Sequence, residues 1–157
     1  MKRLSNFLFV SLLLIFTVSI LGCSDGKLKT EPVRGTVTLD GEPLADAAVS
    51  FVPKNPGEGA AGFGRTNEKG VYLLQTIAGN PDAGTLPGEY IVTISKYQSV
   101  PTGRKIMDSS TREWVDEVQS VLLFPGMATY ANSETTPFSA TVVKGRNRFD
   151  FELKSTE

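Results

Sequence analysis

The chain has 157 residues, 40% of them apolar, 21% charged and 9% aromatic, which excludes a disordered polyelectrolyte and a multi-span membrane protein and allots one small domain. It has no histidine and one cysteine. Ser-His-Asp and Cys-His nucleophiles, histidine zinc sites and a disulfide framework are therefore disfavoured together, and no catalytic residue, metal or cofactor is assigned. Sixteen Lys and Arg stand against seventeen Asp and Glu, a formal net charge of -1 with no basic stripe, so nucleic acid is not an expected partner.

Residues 1–22 read as a signal peptide. Lys2 and Arg3 supply a short positive start, and Phe7 to Leu21 is apolar apart from Ser11, Thr17 and Ser19. The run ends in Ile20-Leu21-Gly22-Cys23, which resembles the lipobox of bacterial lipoproteins, with Ile20 where that family usually has Leu. The resemblance implies a diacylglyceryl thioether on Cys23, cleavage before it, and a membrane as partner through the lipid. Each buried methylene contributes about 0.8 kcal/mol, so two or three acyl chains anchor stably where one would be marginal. An uncleaved anchor helix, or cleavage leaving a free thiol, are the other two outcomes this boundary allows. Cleavage removes Lys2 and Arg3 and leaves the exported part more acidic. Residues 23–31 form a short polar tether containing Gly26, and the domain is expected over residues 32–155.

From Pro32 onward apolar residues recur at every second position, the period of a half-buried strand. Val33, Gly35, Val37 and Leu39 alternate with polar residues up to Asp40-Gly41, a tight-turn signal. Val49 and Phe51 share a face in the next strand. The Gly/Pro-rich stretch from Pro53 to Gly64 reads as a loop, followed by a strand over 71–76 with Tyr72 and Leu74 facing alike. Tyr90 to Lys96 reads as a central strand. Phe138, Ala140 and Val142 share one face, and beyond Lys144-Gly145 so do Phe149, Phe151 and Leu153. Six strands separated by turn signals argue an all-β sandwich.

The segment between Tyr97 and Tyr130 breaks the pattern. Ser110-Thr111-Arg112-Glu113 matches a capping box, and Trp114, Val118 and Val121 or Leu122 follow at helical spacing, so a short helix is predicted near 111–121 and Pro125-Gly126 should end it. Trp114 and Val118 would then either cover an open edge of the sandwich or present an aromatic recognition surface.

Val33 to Val52, VRGTVTLDGEPLADAAVSFV, resembles the carboxypeptidase regulatory-like or transthyretin-like domain family, with its G-x-V strand, D-G-x-P-L turn and A-x-V-x-F strand in that order. Arg65 to Tyr72 and Pro87 to Ile94 continue the likeness, and Phe138 to Leu153 resembles small bacterial lipoproteins carrying this domain alone. The resemblance implies a transthyretin-like (prealbumin-like) Greek-key sandwich of about seven strands and no catalytic activity. In that pattern Gly35 marks a close approach of another backbone or side chain, and Asp40-Gly41 permits positive φ.

Two motifs are weaker than they look. Gly57 to Gly62 spells G-x-G-x-x-G but leads into another turn, whereas a dinucleotide site needs a helix to begin there. Asp40, Glu42 and Asp46, like Asp108, Glu113, Asp116 and Glu117, lack calcium-loop spacing, and Asp116 with Glu117 cannot act as one paired site on a helix face. The residues left as candidate ligand contacts are Tyr97, Trp114, Phe124 and Tyr130, whose rings could stack on a sugar or peptide. The expectation is a non-catalytic, lipid-anchored cell-envelope protein, on the periplasmic face or the cell surface, acting as a structural or protein-interaction module. A carbohydrate- or peptide-binding surface lipoprotein is the alternative, so other envelope proteins or glycans are the partners to expect.

Overall fold

The computed structural model describes residues 29–55, 57–76 and 84–155, so the export segment and Cys23 lie outside the described residues. The fold is all-β with one short helix: β1 (Val33–Leu39), β2 (Glu42–Pro43), β3 (Ala48–Pro53), β4 (Gly62–Arg65), β5 (Val71–Leu73), β6 (Gln75–Thr76), β7 (Gly88–Ser95), β8 (Tyr97–Met107), β9 (Trp114–Leu122), α1 (Met127–Ala131), β10 (Ser139–Val142), β11 (Asn147–Arg148) and β12 (Phe151–Leu153).

Two sheets enclose the core. In one, β1 is central, with β11 and β12 parallel along one side and β5 and β2 antiparallel along the other. The second runs β10-β7-β3-β4-β6, antiparallel throughout. The alternation read from the sequence gives the faces: Val33, Val37, Tyr72, Phe151 and Leu153 are buried from the first sheet, and Val49, Phe51, Tyr90, Val92 and Ile94 from the second. Phe51 sits at the centre, its ring 5.9 to 6.4 Å from those of Tyr72, Tyr90, Phe149 and Phe151.

Gly35 is where two layers of chain nearly touch. A Cβ there would lie 1.6 Å from the Phe149 carbonyl oxygen and 2.9 Å from the Tyr72 hydroxyl, so only glycine fits. The Tyr72 hydroxyl donates to that same carbonyl at 2.8 Å. Burial, and then the Asp150 charge, raise the Tyr72 pKa, so the phenol remains a donor. The C-terminal strand breaks at this point into β11 and β12, and the Asp150 carboxylate takes over, accepting from Thr36 N at 2.8 Å and Thr36 Oγ1 at 2.7 Å. The Arg148 guanidinium, Nε 2.9 Å from Asp150 Oδ2, is the largest cause holding that carboxyl below its ordinary pKa, with the Thr36 bonds adding to it. At the other end of β1 the loop residues Asp40 and Gly41 have φ of 52° and 89°, as a two-residue primed turn requires.

Three sequence expectations change. Residues 114–122 form a strand rather than a helix, and the helix lies at Met127–Ala131, just past Pro125-Gly126. Gly62 to Gly64, expected as the end of a loop, belong to the strand Gly62–Arg65, which is paired to both β3 and β6. Glu31, assigned to the tether, is already part of the sandwich: it is buried, exchanges backbone bonds with Thr85, and its Oε2 accepts from Gly145 N at 2.9 Å.

These contacts define two poles. Glu31, Thr85, Gly145 and the start of β7 at Gly88 lie at one, since Gly88 pairs with Val142. β7 ends at the other, where Ser95 pairs with Ala48. Eight strand residues place the poles about 24 Å apart.

Candidate interaction surface: the β8–β9 arm

At the pole opposite Glu31 the chain leaves the sandwich as a two-stranded ribbon. β8 and β9 pair only with each other among the described strands, from Tyr97↔Leu122 at the root to Met107↔Trp114 at the tip. Lys96 closes the root, its carbonyl accepting from Leu123 N at 2.9 Å and its N–H donating to Met127 Sδ at 3.0 Å. α1 thereby ties the arm to the body, with Met127 and Tyr130 buried.

The arm is extended for local reasons. Pro101 and Gly103 exclude a helix over β8, and β9 then finds its backbone partners there rather than within itself. Gly103, at φ 81°, forms a bulge in which Thr102, Gly103 and Arg104 oppose only Glu117. The Glu117 carboxylate clasps that bulge, accepting from Thr102 Oγ1 at 2.6 Å and Arg104 Nε at 2.8 Å. Lys105 pairs with Asp116 at 3.0 Å beside it.

The turn at the tip is capped by Asp108, not Ser110. Asp108 Oδ1 accepts from Ser110 N at 2.7 Å, Thr111 N at 3.0 Å and the Ser110 hydroxyl, while Arg112 at φ 59° turns the chain back. The bond from the Ser110 hydroxyl, and then those from the Thr111 and Ser110 amides, lower the Asp108 pKa to about 2. The carboxylate is the form that holds the turn, so its contribution is complete above the ordinary value of 3.8 and lost as pH falls from there toward 2. The fluorescence of Trp114, the one tryptophan in the chain, is expected to change across that acid window. In Asp108→Asn the window should flatten, because no charge remains to titrate.

Of the eleven large hydrophobics exposed among the described residues, six lie on the arm: Tyr97, Ile106, Met107, Trp114, Val115 and Val118. Opposed residues of an antiparallel pair share a face. One face therefore carries Tyr97, Pro101 and Met107 with Leu122, Val118 and Trp114, and the other carries Ile106 and Val115 at the tip. Trp114 and Val118 are 64% and 57% exposed, so they do not cover an edge of the body.

The four candidate aromatic contacts do not converge. Tyr97, 60% exposed, lies at the root and Trp114 at the tip, about 27 Å apart along β9. Phe124 packs half-buried against the core. Tyr130 is buried, its ring stacked on Phe138 at 5.5 Å and its hydroxyl accepting from Lys154 N at 3.1 Å. A shared stacking platform is thus not built from these rings. Sequence reasoning missed Met107, which the hairpin register sets opposite Trp114, and Ile106 with Val115, which it pairs on the other face of the tip. Gly57 to Ala61 run in turns and irregular chain, and Gly62 opens a strand rather than a helix. Among the described residues no three acidic or cysteine side chains gather as a metal site. A cleft of about 480 Å³ at the arm's root, lined by Asp46, Ala48, Arg65, Ser95, Lys96 and Tyr97, is open to solvent and holds the exposed Arg65–Asp46 pair at 3.7 Å.

No family model matches the sequence, and no curated protein matches it. Among solved structures, the crystal structure of a 9R-lipoxygenase from Cyanothece PCC8801 aligns over 80% of this chain and 16% of its own length, at 14% identity and a TM-score of 0.37.

Proposed function

We propose that this chain is a non-catalytic, lipid-anchored protein of the cell envelope, with a transthyretin-like Greek-key body, and that it works as a protein-interaction module through the β8–β9 arm. The observation that carries this reading is the arm itself. Beyond its root, where Leu122 packs against the core, the ribbon carries exposed apolar side chains on both faces that gain little from burial within their own domain. Its bulge and tip are nonetheless fixed by charge-assisted bonds from Glu117 and Asp108, as a preorganised surface would be. The position of the arm fits the same picture, because it is rooted at the pole away from Glu31, where the chain coming from Cys23 joins the sandwich.

Two measurements test the two halves separately. Cys23→Ala is expected to move the protein from the membrane to the soluble fraction, and persistence with membranes after signal cleavage would refute the lipid anchor. A photo-crosslinking residue placed at Ile106 or Trp114 is expected to give recurrent protein adducts in cells. Glycan adducts would instead favour surface carbohydrate binding, and an absence of adducts would remove the interaction role.

A further inference from the structure

The two outer edges of the arm are unlike. The free edge of β8 is interrupted by Pro101, by the bulge at Gly103 and by Arg104 and Lys105, devices that blunt an edge against pairing. β9 has nine residues with no proline, no glycine and no bulge. Pro101 has no N–H, so its pair with Val118 is of the non-hydrogen-bonded kind and the N–H and C=O of Val118 point to the outer edge. Antiparallel pairs alternate, so Trp114, Asp116, Ser120 and Leu122 point their backbone groups outward as well. The bonds at the two ends of the arm agree with this phase: Leu123 N donates to Lys96 O, and Asp108 N donates to Glu113 O.

We propose that this edge pairs antiparallel with β9 of a second copy of the chain, about a two-fold axis at Val118, giving a four-stranded sheet shared between two arms. The proposal rests on reading the arm as the interaction surface and names its partner. The sequence of β9 is what selects a second copy. When all nine residues pair, Val118 meets Val118, Trp114 meets Leu122, Val115 meets Val121, Asp116 meets Ser120 and Glu117 meets Gln119. Every large apolar residue then faces another, and no charge faces its like. A slip of two residues toward the tip brings Glu117 opposite Glu117 and Trp114 opposite Ser120. A slip the other way puts Asp116 opposite Leu122. In the full register the tip of each arm reaches the root of the other, and the outward backbone groups that β8 leaves unused are satisfied.

The full-length protein in its own membranes provides the test, by oxidation with copper phenanthroline and non-reducing electrophoresis. Wild type, carrying Cys23, sets the background. Residues facing each other at a hydrogen-bonded pair have Cα atoms about 5.5 Å apart, within disulfide reach, whereas Ser120 and its own copy, four residues along and one strand across, would be about 14 Å apart. Val118→Cys is therefore expected to give a disulfide dimer at several times the yield of Ser120→Cys. Asp116→Cys and Ser120→Cys expressed together should give the mixed dimer. Ser120→Pro, which removes an N–H that β8 does not use, should abolish the Val118→Cys dimer while Ser120→Ala preserves it. Equal yields from Val118→Cys and Ser120→Cys, or none above wild type, would overturn the pairing. If pairing fails while the photo-crosslinker at Ile106 still captures another protein, the interaction reading stands and only its partner is wrong; if both fail, both fall.

Discussion

Gly35→Ala is expected to cost the domain about 3 kcal/mol or more, visible as a large fall in the urea midpoint. The reason is the position of the Phe149 carbonyl, 1.6 Å from where the added methyl would sit. That oxygen is backbone, held in place by Phe149 N donating to Arg34 O at 3.0 Å and by the Tyr72 hydroxyl, so it cannot rotate away as a side chain would. Tyr72→Phe removes the hydroxyl but leaves the carbonyl, and the double variant should recover little. A midpoint within error of wild type for Gly35→Ala would mean that β1 and the C-terminal segment are not packed as described.

The second large effect is expected at Phe51. Its ring is fully buried and meets aromatic rings from both sheets, so Phe51→Ala removes the packing that joins the layers and leaves a cavity at their centre. Truncations of this kind cost about 3–5 kcal/mol. Equilibrium unfolding followed by far-UV circular dichroism measures it, and a loss under about 1 kcal/mol would show that the neighbouring rings close over the gap. Because the domain's whole stability is expected to be on the order of 5–15 kcal/mol, either variant removes a substantial part of it.

How much of this was legible follows from where burial writes itself into side-chain choice. Strands whose inward positions are large, such as Val33 and Val37, Val49 and Phe51, or Tyr90, Val92 and Ile94, announce their period and their face. Gly35 could be read as a close approach because it occupies an inward position in such a series. β4 could not, since its inward residue is Gly62, kept small by Leu74, whose Cδ2 would lie 2.6 Å from a Cβ there. An alternation of glycine with Phe63 and Arg65 looks like loop. β9 misled for a different reason: Trp114, Val118 and Leu122 are four apart, a spacing that suits one face of a helix and one face of a strand equally. What decided between them was Pro101 and Gly103, in the strand it pairs with.

The placement of the two poles carries a consequence for distance. The chain that leads from Cys23 joins the sandwich at Glu31, and the arm springs from the far end of β7. The sandwich is therefore a rigid spacer: its own height, about 24 Å, is the interval between that junction and the root of the arm. The eight residues from Ser24 to Glu31 add at most about 28 Å more, at roughly 3.5 Å for each extended residue. If the proposed lipid on Cys23 fixes the N-terminal end, it also confines the arm to a shallow zone above the membrane, where the proposed meeting of two arms becomes a search in two dimensions.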